Sequence, residues 1–215
     1  MKQPIVRPYR GVPAEERRVL RRRALLDASL DLLGTEGWAN ATVRGVSTRA
    51  GLNDRYFYES FPDLDALLLA VVDEQAGLGT EVILAAAAAA PRQLRPRSRA
   101  VVTAILDFLA EDPRRARILS HEFPSNVLLQ DRKRAILGSL TAIFTTQLYD
   151  VLDGVPLSAE DVHLTALTVN AGLWEVVTLW LRGDLATTRA HLIDYTVAFL
   201  SLTTALPDVL EEHLD

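Results

Sequence analysis

Asn53, Arg55, Tyr56 and Tyr58 crowd into six consecutive positions of a twenty-residue stretch, TVRGVSTRAGLNDRYFYESF at 42–61. Arginine can donate two parallel hydrogen bonds to guanine O6 and N7, and tyrosine can reach a phosphate or stack on a thymine methyl. An asparagine at a helix start can contact either base or backbone. This is chemistry for reading nucleic acid, provided those side chains are presented together and not spent on a core.

The local pattern supplies such a platform. Thr42 can cap a helix in which Val43, Val46 and Ala50 recur at i, i+3 and i+7, and Gly51 ends it in a left-handed residue. Asn53 caps a third helix through Glu59 whose Phe57 and Phe61 turn inward, and Pro62 forbids its continuation. Two short helices with narrow apolar stripes and a glycine turn pack nearly perpendicular, leaving one free to enter a major groove about 12 Å wide. The same spacing also fits an ordinary helical hairpin with its tyrosines packed elsewhere.

Around this hairpin the apolar period is helical nearly everywhere, without sustained period-2 alternation. The chain reads as all-α, with about nine helices. Residues 1–13 form a basic flexible arm, 14–62 a three-helix helix-turn-helix domain opened by Ala14–Glu36, and 63–215 a larger helical domain. In the latter, helices are expected from Asp63 to about Ala90 and over Ser98–Glu111, Pro113–His121, Asn126–Leu152, Ala159–Arg182 and Thr187–Leu206. The segment around Pro91, Pro96 and Arg92, Arg95, Arg97 and Arg99 reads as a mobile loop.

Composition narrows the function. The 215 residues carry a net charge of −5, yet the first 60 hold +4 and the rest −9, as a basic module meeting a polyanion beside an acidic body would. With no Cys and four scattered His, thiolate chemistry is excluded and no metal site or cofactor is assigned. No Gly-rich phosphate loop, H-E-x-x-H or G-x-S-x-G turn occurs, so an enzyme is not expected. No apolar run approaches a membrane span, and a cytoplasmic protein without a membrane partner is expected.

Gly37, Thr42-Val43-Arg44, Ala50-Gly51-Leu52, Tyr58-Glu59-Ser60-Phe61 and Ala66-Leu67-Leu68, in that order and spacing, make Arg22–Glu74 resemble the N-terminal domain of the TetR family of bacterial repressors. The resemblance implies that Thr42, Arg44, Tyr58 and Ser60 contact phosphate and that Asn53, Arg55 and Tyr56 meet bases. Asp54 and Leu64 depart from it, standing where lysines often hold phosphate. It further implies a homodimer built on the last two long helices and an effector cavity enclosed by helices four to eight.

In the C-terminal domain, His121, Glu122, Asn126, Phe144, Tyr149, Asn170 and Trp174 are the polar and aromatic residues expected near such a cavity. Ala159–Arg182 is apolar on two sides and needs two partners. Val169, Leu173, Val176 and Trp180 are expected on the side facing a second subunit. The expected function is a ligand-responsive transcriptional regulator, a repressor that binds double-stranded DNA at an inverted repeat as a dimer and is released by a small, largely apolar effector. The competing reading is a helical ligand-binding or partner-docking protein without specific DNA binding.

Overall fold

Capping and glycine placement lay out the backbone of the chain, a computed structural model that describes residues 13–152 and 157–213. The expected basic arm lies outside the described residues apart from Pro13. Every regular element among them is a helix, in keeping with the all-α expectation. Backbone contacts divide the chain into two compact units, Met1–Glu74 and Gln75–Asp215.

The first unit holds α1 (Ala14–Thr35), α2 (Val43–Arg49), α3 (Asp54–Tyr58) and the opening turns of α4 (Leu64–Ala89). Leu25, Ala28 and Leu32 of α1 are buried as their spacing requires, and with Leu33, Val46, Phe57, Phe61, Leu67, Leu68 and Val71 they make its core. Gly37 and Gly51 adopt φ of 83° and 66°, which side chains with a Cβ rarely tolerate. Between them, Trp38–Asn40 forms one 3₁₀ turn.

The second unit continues with α5 (Leu94–Glu111), α6 (Pro113–Arg117), α7 (Phe123–Ser125), α8 (Val127–Val151), α9 (Ala159–Arg182), α10 (Arg189–Leu202) and α11 (Leu206–His213). A π-helical turn over Ile118–Glu122 joins α6 to α7, and a 3₁₀ turn over Thr203–Ala205 joins α10 to α11. With each of these runs taken as one bent helix, the described residues contain nine helices. Helix α8 packs on α9, and α10 on α5. Leu106 of α5 joins Leu192, Ile193 and Val197 of α10 in one buried cluster.

Two boundaries differ from the sequence expectation. The basic segment around Pro96 is not a loop, because α5 already starts at Leu94 after its N-cap residue Gln93. Pro96 therefore falls in the first turn, where a missing N–H breaks no intrahelical bond. Phe123-Pro124 does not separate two helices either, since the π turn runs straight into α7 and Pro124 again sits in a first turn.

Two helical runs, Ala159–Arg182 and Arg189–Glu212, reach mean hydropathies of 1.3 and 1.2 and match a membrane span by length and composition. This differs from the expectation that no segment would. Counting uninterrupted apolar residues missed them because isolated polar residues, chiefly Thr and Ser, break the runs while the many Leu, Val, Ala and Phe between them keep the average high. Their apolar surface has a protein use, since one face of each is buried among α5 and α8, together with Thr165, Thr178 and Thr196.

Gly183 closes α9 at φ 80°, with its N–H donating to the carbonyls of Leu179 and Trp180. Nothing lies within 4 Å of where its Cβ would stand, and the same holds for Gly138 inside α8. Space is therefore not the constraint at either site, and backbone conformation decides. Gly183→Ala is expected to destabilise the chain by about 1–2 kcal/mol, and Gly138→Ala to stabilise it by about 0.5–1 kcal/mol, on urea denaturation monitored by circular dichroism.

Candidate nucleic-acid interface and internal cavity

Helix α2 begins where the Oγ1 of Thr42 accepts the Gly45 N–H at 3.0 Å. A Cβ on Gly45 would stand 3.0 Å from that same oxygen, so the residue that donates to the cap must also be small. Helix α3 begins in the same way, with Asn53 Oδ1 accepting the Arg55 N–H at 2.9 Å. Both short helices thus have their first orphan amides satisfied by their own N-cap side chains.

Phe57 is wholly buried and Phe61 nearly so, and their rings approach each other at 6.1 Å between centroids. With the inner face of α3 so occupied, Arg55 is turned out with 83% of its side chain exposed. Tyr58 is 62% exposed, its ring edge-on to Phe57. Asn53 and Asp54 are exposed beside them, and Ser60 is half-buried. Tyr56 departs from the expectation of a free base-reading group, being half-buried with the Arg21 guanidinium 4.4 Å above its ring.

Glu59 organises this surface, and the sequence did not mark it. Its carboxylate accepts from Arg55 Nε at 3.1 Å and from Arg21 Nη2 at 3.3 Å. The i, i+4 spacing to Arg55 was readable, but the partnership with α1, 38 residues away, was not. Arg49 is similarly committed, binding Asp31, Glu36 and Thr35 and so fastening α2 to α1. Arg44, by contrast, is exposed and makes no ion pair among the described residues. It borders an open cleft of about 520 Å³ with Thr42, Thr48 and Asn40.

The second unit contains a cavity of about 130 Å³. One face of α5 gives it Leu94, Arg97, Ser98, Val101 and Val102, and α8 gives Leu140, Ile143, Phe144, Gln147, Leu148 and Val151. Ile83, Asn170, Leu173 and Leu200 complete the wall. Arg97 is the unexpected member, only 7% exposed. Its Nη1 bonds Asp150 Oδ2 at 2.5 Å and Gln147 Oε1 at 3.3 Å, while its Nε has no partner. A buried N–H without an acceptor costs about 1–3 kcal/mol. The Arg97 hydrogen bond, with the charge of Arg92, holds the Asp150 carboxyl below its ordinary pKa.

Of the residues expected near a cavity, Phe144 and Asn170 line it, Asn170 with its amide donating to the Ala166 carbonyl at 2.8 Å. Trp174 packs instead edge-on against Phe123 at 5.1 Å, with Lys133 over its ring. His121 is exposed, 2.7 Å from the Ser120 hydroxyl through Nδ1, and Glu122 is buried in the π turn. Asn126 caps α8, and Tyr149 is 49% exposed. Arg97 was missed because Pro91 and Pro96 disguised the start of α5, where the spacing Leu94, Arg97, Ser98, Val101 was the available signal; Gln147 lies on α8, a helix that was expected, and nothing in the sequence set it apart.

The residues expected to face a second subunit are occupied within their own chain. Val169 is buried, Leu173 lines the cavity, and Val176 and Trp180 pack on the Leu106–Leu192 cluster. Trp180 also donates its indole N–H to the Thr187 carbonyl. The outward side of α9 carries Leu164, Leu167, Ala171 and Gly172, and that of α10 carries Tyr195, Ala198, Phe199 and Leu202. Both apolar sides of α9 were legible, but which of them met its own core was not.

Residues 25–71 match the family described as bacterial regulatory proteins, tetR family. Over 58 residues the chain is 45% identical to an HTH-type transcriptional regulator of Haemophilus influenzae, in an alignment taking in 26% of this chain and 28% of that protein. The chain therefore spans little more than a quarter of that relative's length. The fatty acid degradation regulator FadR from Bacillus halodurans superposes with a TM-score of 0.70 at 20% identity, over 84% of this chain and 94% of that one. The regulator FadR from Bacillus subtilis, solved in complex with stearoyl-CoA, gives 0.65 at 22% identity over 83% and 96%. At these identities the likeness is one of fold.

The caps give a local test of the platform. Thr42→Ala is expected to cost about 1 kcal/mol of stability and Thr42→Ser only a fraction of that, in urea titrations read by tryptophan fluorescence. Equal losses for both would mean that the hydroxyl is not what holds α2.

Proposed function

From the match of residues 25–71 to the family described as bacterial regulatory proteins, tetR family, we propose that this chain is a ligand-responsive, DNA-binding transcriptional regulator of that family. The observation that carries the reading is the division of α3. Phe57 is spent on the core, which leaves Arg55 and Tyr58 exposed on the opposite side of a helix narrow enough for the major groove. Arg55 and Asn53 read base edges, Thr42, Arg44, Tyr58 and Ser60 hold phosphate, and Tyr56 braces Arg21 against the reading helix. The regulator is a repressor without enzymatic activity.

The working unit is a homodimer. Leu164, Leu167, Tyr195, Phe199 and Leu202 form two adjacent outward stripes, and Ala171, Gly172 and Ala198 between them allow close backbone approach. Such a self-complementary face suits a two-fold contact. It makes the operator an inverted repeat with half-sites about one duplex turn, or a multiple of it, apart.

Selection from a randomised DNA library at several salt concentrations tests the reading head. Arg55→Ala should cost about 1–3 kcal/mol and relax one base position per half-site, whereas Arg44→Ala should weaken all sequences alike and reduce the salt slope by about one. No sequence preference in the wild type would leave a helical ligand-binding protein without specific DNA binding.

The dimer is tested by light scattering at micromolar concentration. The wild type should be dimeric and Leu167→Glu monomeric, while Val169→Ala, a change inside the chain, should lower stability without altering mass. A monomeric wild type would remove the proposed face.

A further inference from the structure

We infer that the cavity of the second unit takes a compact apolar carboxylate, with Arg97 as the residue that recognises its charge. This rests on the effector-binding reading above and names the chemistry of that site.

The wall of the cavity is overwhelmingly aliphatic and aromatic, yet it contains an arginine more than nine-tenths buried. A guanidinium is planar, permanently charged and suited to bidentate carboxylate binding. Here its needs are only partly met. Nη1 is held by Asp150 and Gln147, and Nη2 reaches the Ala90 carbonyl only at 3.5 Å. Nε is buried without an acceptor.

Charge points the same way. Asp150 is shared between Arg97 and Arg92, whose Nη2 lies 2.9 Å from its other oxygen. Asp150 thus divides its charge between two cations, and Arg97, the one that lines the chamber, has no carboxylate of its own. A neutral ligand would bury beside it without answering it, and a cationic one would be repelled. An anionic oxygen entering beside the guanidinium gives Arg97 the second acceptor that the shared Asp150 does not supply.

Size limits the rest of the molecule. An apolar cavity of about 150 Å³ admits benzene, and this one holds about 130 Å³. The apolar body is therefore no more than about six carbon atoms, packed against Phe144, Ile143 and Val101. That is far smaller than the stearoyl-CoA bound by the Bacillus subtilis neighbour.

Isothermal titration calorimetry with hexanoate, 1-hexanol and hexylamine tests the assignment on the intact protein. Hexanoate should bind at least about tenfold more tightly than the alcohol, and the amine least of all. Arg97→Gln should bring hexanoate and hexanol to similar affinities while retaining the alcohol. Leu140→Trp, which fills the chamber and leaves the arginine in place, should abolish binding of both, so the result does not depend on Arg97→Gln folding. Equal affinities for hexanoate and hexanol in the wild type would overturn the inference, as would a carboxylate preference that survives Arg97→Gln or full binding in Leu140→Trp. DNA affinity measured with and without hexanoate separates this from the regulatory reading. Carboxylate preference with unchanged DNA affinity supports the cavity assignment and defeats the switch.

Discussion

A helix of five residues has almost no stability of its own, and α3 exists because Phe57 is fully buried and both flanks are fixed. Its N-terminal amides are satisfied by Asn53, and past its last residue, Tyr58, the chain turns through Glu59 to bury Phe61 as well. Everything that the first unit presents outward follows from that one buried ring. Once Phe57 points in, the 100° step per residue sends Arg55 and Tyr58 out, and the polar surface inherits the rigidity of the core beneath it. Recognition chemistry on so short an element depends on packing more than on helix propensity.

The second unit works under a different constraint. Its long helices contain more apolar surface than one bundle core consumes. In α9 the inward side goes to α8, α5 and α10 and to the cavity, leaving Leu164 and Leu167 uncovered. Surplus apolar area of this kind is characteristic of interaction sites, and it is this surplus on α9 and α10 that supports the proposed dimer. The same abundance of apolar side chains makes Arg97 conspicuous, because a charge buried in such a wall must be answered by Asp150 or by something that enters.

The local features were the most legible. Thr42, Asn53 and Gly51 identified the helix-turn-helix because capping is a short-range chemistry between neighbours in sequence, and the 3.6-residue period placed Phe57 and Phe61 inside. Prolines were the main source of error. Pro96 and Pro124 were read as breakers, although a proline in a first turn is compatible with helix, and the Arg97 site was hidden as a result. Contacts made across the chain were invisible, among them Arg21 and Arg49 on their carboxylates and the choice of which apolar side of α9 turns inward. Periodicity identifies faces but does not say what each one meets.

Under the function proposed for α3, the carboxylate of Glu59 sets a reference for reading DNA. In the free protein Arg55 already has a partner, one hydrogen bond to Glu59 Oε1, so on any duplex it exchanges acceptors and does not simply gain one. A lone phosphate oxygen offers an exchange near parity, and the two acceptors of a guanine edge offer a surplus. Glu59 thereby subtracts a nearly constant amount from every encounter, trimming the weak attraction that all sequences share and leaving the difference between right and wrong sites intact. Because a genome presents so many wrong sites, a regulator with an internal competitor of this sort spends less of its time on them.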